Sequence, residues 1–469
     1  MLTFFRFNTL FHFLSLLLLV ILLKLPFLGE KLPVLLPELE WMLVGEKLHE
    51  GNFLYKELWT NVGPLSAFIY WLIDLSFGRS QFAYEFIAML LVYFQALYFV
   101  FICNTRHAFL ERNYAPGLLY ILLMNLSFDM SKLSPVLLAT TFLLFAFNKT
   151  IKQLERREGV SDEVFEIGLY IGIAVLFYQP AMVFIIWCAA SLIFFTNANL
   201  RQYFLTLLGF IIPVVLAALF FYFNDSLDEF QYNWFNGMLK IKQYSLEDFK
   251  SSLLAITLPA AFAFLGFLRQ SQATRYSNYQ QRIQQIMLLW VVVAFLALFL
   301  SPTVSPMQFI IFIPCFAFFC TAFFLHFKGT FLPELVFTSL VLVVLFVQYQ
   351  GATPIFGKGF EQLSDMRIKP RYLPANMRGQ KMLIIGERID EYKWGTPATC
   401  YLNWELSKID LQNPDNYESI INIFDNFKKD PPKIIIDKQN VVPKIFERLP
   451  ALAVDYKSTD MKGVYQRKF

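Results

Sequence analysis

The sequence PELEWMLVGEKLHEGNFLYKELWTNVGPL, residues 37–65, decides how the rest of the chain is interpreted. It follows a first apolar run at residues 8–28 and precedes every other apolar run. It also holds the densest acidic and aromatic cluster in the N-terminal half. So polar a segment does not cross the hydrocarbon core of a membrane, because its charged groups would lose their hydration there. The pattern predicts a loop at the membrane surface, held at both ends by apolar spans.

The composition is that of a polytopic membrane protein. Of the 469 residues, 57% are hydrophobic and 18% aromatic, while only 16% are charged, and the mean hydropathy is +0.48. Soluble domains have about 25% charged residues. A net charge of +4 gives no reason to expect a nucleic-acid partner. The five cysteines form neither a CxxC metal site nor a disulfide framework, which leaves the redox compartment open.

Eleven apolar runs are predicted to cross the membrane. The run at residues 64–77 is not among them, because fourteen helical residues rise only about 21 Å against a core of about 30 Å. Asp74 also interrupts it, so we interpret it as an interfacial or re-entrant helix. The first run lacks a small-residue cleavage pattern and is predicted to be retained. The predicted spans are residues 8–28, 81–103, 117–128, 134–147, 164–178, 181–195, 203–223, 252–268, 287–300, 309–327 and 332–348.

The distribution of Lys and Arg predicts the orientation. With a cytoplasmic N-terminus and eleven spans, every strongly basic loop falls on the cytoplasmic side, as the positive-inside rule requires. The C-terminus is then outside. Residues 1–349 form the predicted multi-span transmembrane domain, in which the outer loop 29–80 carries interfacial helices.

Residues 350–469 are charged and punctuated by Pro and Gly, which predicts a small extracytoplasmic α/β domain. The sequences KMLIIG at residues 381–386 and KIIID at residues 433–437 are typical of buried strands. No Gly-rich phosphate loop precedes a helix here, so no nucleotide site is expected. The other predicted elements are an amphipathic helix at residues 413–428 and a closing hairpin from residues 452–456 and 463–468.

Two carboxylates at the start of the loop are the leading candidates for chemistry. Glu38 and Glu40 begin what is predicted to be a short amphipathic helix. A carboxylate at the membrane surface can act as a general base toward an acceptor hydroxyl or as a metal ligand. The alternative is a solvated charged face. Polar and aromatic neighbours suited to a sugar site follow closely, namely Tyr55, Lys56, Glu57, Trp59 and Asn61.

This order of residues resembles the first outer loop of the C-type, polyprenyl-phosphate-sugar-dependent membrane glycosyltransferases. The shared features are an acidic residue, a short helix, Gly51 thirteen positions after Glu38, Tyr-x-Glu-x-Trp at residues 55–59 and Gly-Pro-Leu at residues 63–65. The predicted topology is similar too. The segments RNYAPGLLYILL, LSPVLLATTFLLFAF and GLYIGIAVLFYQPAMVF also resemble a family of bacterial polytopic membrane proteins.

The resemblance implies a multi-pass protein of the bacterial inner membrane that moves a sugar from a polyprenyl-phosphate carrier to a glycan or protein acceptor outside. It implies Glu38 as base or metal anchor, assisted by Glu40 and Glu57. Tyr55, Trp59 and Trp234 would offer stacking faces to the sugar. Because the later outer loop SPTVSPMQF has no cation, lysines elsewhere would meet the phosphate. The remaining candidates are Lys56, Asn61, Asp129, Lys132, Tyr178, Gln179 and Lys240.

Other interpretations stay open at this point. A non-catalytic accessory protein of secretion or envelope assembly would keep the scaffold without the chemistry. A secondary transporter fits less well, because the spans are nearly free of charge and no inverted repeat is visible. Asp129 has loop capping as its alternative. The need for a divalent cation, the metal ligands and any other cofactor are left undetermined.

Overall fold

The computed structural model describes residues 2–7, 9, 11–24, 33–155, 161–196, 198–238, 249–272, 276–327, 331–352 and 365–468. In these ranges the chain is predominantly helical, with one small sheet near the C-terminus. Within the described residues, five helices are long and apolar enough to cross a membrane. They are Gln81–Thr105, Leu200–Phe223, Asn278–Phe299, Pro306–Leu325 and Phe331–Tyr349.

The described helices and strands follow in chain order. The helices are α1 (Phe11–Lys24), α2 (Leu36–His49), α3 (Pro64–Phe77), α4 (Gln81–Thr105), α5 (Ala115–Met124), α6 (Pro135–Glu155), α7 (Ser161–Phe177), α8 (Phe184–Phe195), α9 (Leu200–Phe223), α10 (Leu227–Met238), α11 (Phe249–Ser271), α12 (Asn278–Phe299), α13 (Ile313–Leu325), α14 (Phe331–Ala352), α15 (Trp404–Leu411), α16 (Tyr417–Lys429), α17 (Val442–Arg448) and α18 (Pro450–Asp455). The strands are β1 (Lys381–Ile385), β2 (Thr396–Pro397), β3 (Ile434–Asp437), β4 (Tyr456–Ser458) and β5 (Val464–Arg467).

The chain forms two compact units, each assembled from separate segments. The first unit comprises Met1–Pro33, Phe82–Ala217 and Gln243–Ser364. The second comprises Val34–Gln81, Ala218–Lys242 and Asp365–Phe469. The second unit therefore joins the first polar loop to the C-terminal sheet. The membrane sides predicted for residues 1–349 and 350–469 stay a prediction.

Glycines allow close helix packing in the first unit. A Cβ atom on Gly168 of α7 would lie 2.0 Å from the backbone oxygen of Thr206 in α9. A Cβ on Gly209 of α9 would lie 2.3 Å from the backbone oxygen of Phe165. Small residues spaced four apart let helix backbones approach in this way within membranes. The sequence GLYIG at residues 168–172 thus fixes one helix pair of the unit.

Each of the eleven predicted spans overlaps a described helix, while the number of membrane crossings and the orientation stay predictions. The largest differences are that α12 begins at Asn278, nine residues before the predicted span 287–300, and that α6 continues to Glu155, eight residues beyond the predicted span 134–147. At residues 117–128, α5 has only ten residues and ends before Asn125. A 3-10 helix, Phe128–Ser131, begins at the last residue of that predicted span. Residues 8, 10 and 25–28 of the first predicted span lie outside the described residues.

The short apolar helix predicted at residues 64–77 is confirmed as a helix with the same limits, α3. It ends at Gly78, whose φ of +62° suits a residue without a Cβ atom. The helix predicted after Glu38 is also confirmed, as α2. The alternative of a solvated charged face is wrong for Glu38 and Glu40, because both are buried, as is Lys47 on the same helix. Backbone pairing helps to bury its start, since the Leu36 amide donates to the Met366 carbonyl at 2.7 Å.

The C-terminal region contains the predicted small α/β fold. Its five strands lie in the order β2-β1-β3-β5-β4, with β1 parallel to both β2 and β3. The two predicted strands and the amphipathic helix are confirmed as β1, β3 and α16. The closing hairpin is confirmed as β4 and β5. Its first strand was placed too early, because residues 452–455 belong to α18, which Pro450 starts at its first turn.

Candidate functional site

Glu38 and Glu40 are both buried, with only 2% and 5% of their surface exposed. Two positions along an α-helix correspond to a rotation of about 200°, so the carboxylates leave α2 on opposite sides and do not form a pair. Glu38 accepts a hydrogen bond from the Leu35 amide at 3.3 Å. It is thus the acidic partner in a capping-box arrangement at the start of α2. The Glu38 carboxylate has a structural role at this helix end.

Glu40 belongs to a cluster with two asparagines, which we call the Glu40–Asn61–Asn403 cluster. The side-chain amide of Asn403 donates to Glu40 Oε1 at 3.3 Å and lies 3.4 Å from Asn61 Oδ1. The Asn403 oxygen accepts from the Glu405 amide at 3.0 Å, which caps α15. One side chain therefore fixes a helix start and contacts a buried carboxylate. Sequence reasoning missed Asn403, although its position before a Trp-Glu pair is a helix-capping signal.

Backbone hydrogen bonds hold the loop beside this cluster. The Trp59 amide donates to the Cys400 carbonyl at 2.8 Å, and the Asn403 amide donates to the Trp59 carbonyl at 3.1 Å. The half-buried Trp59 ring meets the edge of the Tyr401 ring at a centroid distance of 5.3 Å. Trp59 keeps part of its surface accessible, as a stacking residue requires.

Asn61 is positioned by a glycine of α10. A Cβ atom on Gly237 would lie 2.5 Å from the Asn61 Cβ atom, a contact too short for any side chain larger than hydrogen. Asn61 also approaches the Gly237 carbonyl, with an N–O distance of 3.5 Å. Gly237 therefore provides the space in which Asn61 reaches Asn403.

Tyr55 and Trp234 lie inside an aromatic cluster rather than at a surface. Their exposed fractions are 0% and 1%. The Tyr55 ring packs against Phe221 and Phe230, and the Trp234 ring stacks on Phe230 with centroids 5.0 Å apart. The Tyr55 hydroxyl donates to the Val62 carbonyl at 2.6 Å. Because neither ring has an accessible face, we do not propose them as stacking surfaces for a sugar.

The charged candidates of the same loop have partners of their own. Glu57 accepts from the Phe53 amide at 2.8 Å and pairs with Lys429 at 2.5 Å. Burial raises the pKa of Glu57, but the bonds from Lys429 and Phe53 outweigh it and hold that pKa below its ordinary value. Glu57 is thus a weaker base than an ordinary glutamate. Lys56 is exposed and donates to the Asn224 carbonyl at 3.3 Å. Lys240 lies outside the described residues.

Asp129 and Lys132 lie close together in the first unit and are both buried. Asp129 Oδ2 accepts from the Met307 amide at 2.8 Å, where it caps the 3-10 helix Pro306–Phe312. Lys132 pairs with Glu85, and its ammonium lies 4.6 Å from the centre of the Phe128 ring. The bond from the Met307 amide joins Asp129 to a segment 178 positions away, so capping of its own loop stays an open alternative. Lys132 is already neutralised, which makes it a poor free ligand for phosphate.

Tyr178 and Gln179 sit where α7 ends and the 3-10 helix Gln179–Val183 begins. Each has 7% of its surface exposed. Tyr178 hydrogen-bonds Ser301. The side-chain nitrogen of Gln179 is buried without a hydrogen-bond partner among the described residues. The two residues are neighbours in the first unit, and their role toward a sugar stays a prediction.

Two charged contacts in the second unit join α2 to α3 and to Arg79, which follows α3. The Nδ1 atom of His49 lies 2.8 Å from Oδ2 of the buried Asp74. Arg79 contacts Glu46 at 3.4 Å and donates to the Tyr392 carbonyl at 2.6 Å. Burial raises the pKa of Glu46, and Arg79 opposes this. These contacts explain how an aspartate is tolerated in the apolar sequence of α3.

The Glu40–Asn61–Asn403 cluster combines a carboxylate with amide donors and acceptors. These groups suit sugar hydroxyls, each of which both donates and accepts hydrogen bonds. A carboxylate can also take a proton from such a hydroxyl. Within the described ranges, no group of three or more His, Cys, Asp and Glu residues is arranged to hold a metal ion. The use of a divalent cation stays an open prediction.

The sequence matches no protein-family model and none of the curated proteins. Among solved structures, it is similar to ArnT from Cupriavidus metallidurans bound to undecaprenyl phosphate, with 12% identity and a TM-score of 0.47. That match covers 67% of this chain, which spans only 60% of the ArnT chain.

Two structures from Archaeoglobus fulgidus match more of the chain. One is the archaeal oligosaccharyltransferase AglB in complex with an inhibitory peptide and a dolichol-phosphate, with 11% identity and a TM-score of 0.52 over 97% of this chain and 74% of that chain. The other is an oligosaccharyltransferase in the apo form, with 13% identity and a TM-score of 0.50 over 90% of this chain and 69% of that chain. The resemblance to the C-type membrane glycosyltransferases is thereby confirmed at the level of the fold.

Proposed function

We propose that the protein is a membrane glycosyltransferase that moves a sugar from a polyprenyl-phosphate donor to a glycan or protein acceptor. The observation that carries the proposal is the buried Glu40 carboxylate beside two asparagines, on a chain with the fold of oligosaccharyltransferases. The dolichol-phosphate in AglB and the undecaprenyl phosphate in ArnT suggest the class of donor. We place the reaction on the outer face of a bacterial inner membrane, with eleven spans and an outer C-terminal domain.

In the proposed reaction, an acceptor hydroxyl attacks the anomeric carbon of the donor sugar. Glu40 takes the hydroxyl proton, and a new carbon–oxygen bond forms as the bond from the sugar to the phosphate breaks. The bonding electrons leave with the polyprenyl phosphate. Asn403 and Asn61 orient the carboxylate and bind sugar hydroxyls, and Trp59 offers its accessible surface to the sugar ring. Lys56 is the exposed cation proposed to meet the phosphate.

The test is transfer of a radiolabelled sugar from a synthetic polyprenyl-phosphate donor by purified protein in liposomes. Glu40→Gln keeps the shape of the side chain and removes its basicity. We expect a loss of about 100-fold or more in turnover, since about 100-fold is the lower end of what a general base contributes. The matched control is Glu447→Gln, which changes an exposed glutamate on α17. Equal turnover in wild type and Glu40→Gln would exclude Glu40 as the base.

A non-catalytic accessory protein is the second candidate, and one observation favours it. Lys132 pairs with Glu85, so one of the lysines considered for the leaving phosphate is already neutralised. A protein without turnover needs no free cation for a leaving phosphate. Saturable binding of the lipid-linked sugar separates the candidates, because an accessory scaffold is expected to show none.

A further inference from the structure

A groove in the first unit has apolar walls and one cationic end. It encloses about 330 Å³ beside α1 and α4. Its walls include Phe13, Leu97 and Phe101, and its polar end includes Asn104, Thr105 and Arg112. Phe13 and Phe101 are 43% and 50% exposed, so the walls are open along one side. None of these residues belongs to the Glu40–Asn61–Asn403 cluster.

The walls of the groove are fixed by contacts between the two helices. The Tyr93 hydroxyl of α4 donates to the Phe13 carbonyl of α1 at 3.0 Å. Their rings also meet edge to face, with centroids 5.6 Å apart. Because α4 is long and apolar enough to cross a membrane, its exposed aromatic face is suited to acyl chains. The groove is therefore a preformed recess in a lipid-facing surface.

Arg112 gives the groove its charge. It is exposed, and its guanidinium makes no hydrogen bond or ion pair with the other described residues. Asn104 and Thr105 form the last turn of α4 beside it. A guanidinium with amide and hydroxyl groups beside it matches the oxygens of a phosphate diester, which it can bind by two parallel hydrogen bonds.

A second groove of the same unit has a different set of charged residues in its lining. It is lined by Asp162, Glu166 and Arg201 with two apolar residues. Glu166 there pairs with Lys149, so the charged groups around that groove are of both signs. The described lining of the Arg112 groove includes no acidic residue. Of the two grooves, the Arg112 groove is the one whose described charged lining is cationic alone.

We propose that the groove between α1 and α4 binds an anionic phospholipid, with the headgroup phosphate on Arg112 and part of one acyl chain along Leu97 and Phe101. The volume accommodates part of a lipid rather than a whole one, so the remaining chain lies in the bilayer. Neutral-headgroup lipids of the same chain length bind less tightly, because the zwitterion offsets the charge that Arg112 attracts.

The experiment titrates detergent-purified protein with phosphatidylglycerol and, separately, with phosphatidylcholine of the same acyl chains, and counts bound lipids by native mass spectrometry. We expect one phosphatidylglycerol site of higher affinity in the wild type. Arg112→Gln should weaken it on the order of fivefold, the effect of one cationic residue near an anionic lipid. Leu97→Trp should also weaken it by filling the apolar part. Arg201→Gln is the matched control and should leave it unchanged.

Further measurements separate this proposal from simpler explanations. Free glycerol 3-phosphate should not displace the lipid at equal concentration, because it lacks the acyl chain. Loss of binding in Arg112→Gln but not in Leu97→Trp would mean a surface charge without a groove and would overturn the proposal. So would equal affinity for both lipids, or an equal effect of Arg201→Gln. Size-exclusion profiles matching the wild type establish that each variant is folded.

Discussion

The side-chain amide of Asn403 donates a hydrogen bond to Glu40 Oε1 at 3.3 Å, across 363 positions of sequence. The same residue caps α15 by accepting from the Glu405 amide. The start of a C-terminal helix and a buried carboxylate of the first loop therefore share one side chain. If Glu40 is the base, Asn403 is a positioning residue that sets where the carboxylate points.

Asn403→Ser should reduce activity more than stability. Serine caps helices about as well as asparagine, so α15 keeps its start. The shorter side chain no longer reaches Glu40, and misplacement of a catalytic group costs about 100-fold in rate. We expect kcat to fall while KM changes little, measured in the sugar-transfer assay. Asn416→Ser, which changes the cap of α16, is the matched control. A parallel loss in both variants would mean a general effect of weakened caps.

Glu38→Gln and Glu38→Ala separate the structural role of Glu38 from a chemical one. Glutamine at the third helical position still accepts from the Leu35 amide, so Glu38→Gln should keep both stability and activity. Alanine removes that bond and should destabilise the unit by about 1 kcal/mol. Thermal unfolding in detergent and the transfer assay provide the two readouts. Inactivity of a fully stable Glu38→Gln protein would restore Glu38 as the leading base.

The Lys132–Glu85 pair, in which Lys132 is buried and Glu85 partly exposed, predicts a non-additive mutant cycle. Glu85→Gln leaves the ammonium of Lys132 buried without its Glu85 counter-charge. This should lower the free energy of unfolding by about 3 kcal/mol or more. The double variant Glu85→Leu with Lys132→Met removes both charges and should recover most of that loss. Chemical unfolding of all variants measures the coupling. Full activity of a stable double variant would also show that Lys132 does not bind the phosphate.

Asp390 predicts the acid sensitivity of the C-terminal sheet. Burial raises the pKa of Asp390, but bonds from Arg388 and the Lys369 amide outweigh it and hold that pKa below its ordinary value of 3.8. The stabilisation is therefore present above pH 3.8 and is lost as the pH falls through the lowered value. Asp390→Asn should lower the free energy of unfolding by about 3 kcal/mol at pH 7 and reduce how far it falls at acid pH.

Proteolysis of the C-terminal unit across pH 3 to 7 measures this dependence. Asp415→Asn is the matched control, because the Asp415–Arg448 pair is exposed. Exposed ion pairs contribute about 0 to 1 kcal/mol, so its profile should follow the wild type. If Asp390→Asn becomes susceptible to proteolysis at the same acid pH as the wild type, then another group causes the acid sensitivity.

The sequence determined the elements whose signals are local. Apolar runs predicted the helices, and the fourteen-residue length of residues 64–77 predicted α3. Short continuous apolar runs predicted β1 and β3, and an amphipathic pattern predicted α16. These features depend on neighbours within a few residues, through helix rise, backbone preference and side-chain period. The start of the hairpin was misplaced because Pro450 and the residues after it favour one more helical turn over an earlier strand.

The site depended on contacts that no local pattern contains. The sequence placed Glu38 ahead of Glu40 as the base, and only the fold assigned Glu38 to a helix cap and Glu40 to Asn403. It marked Tyr55 and Trp234 as sugar-stacking residues, yet their packing against Phe230 buries both rings. The sequence specifies the chemistry of each residue, but the exposure and partners of the residue depend on segments hundreds of positions apart. Those distant contacts set the surroundings of each carboxylate, and tertiary structure alone decided them.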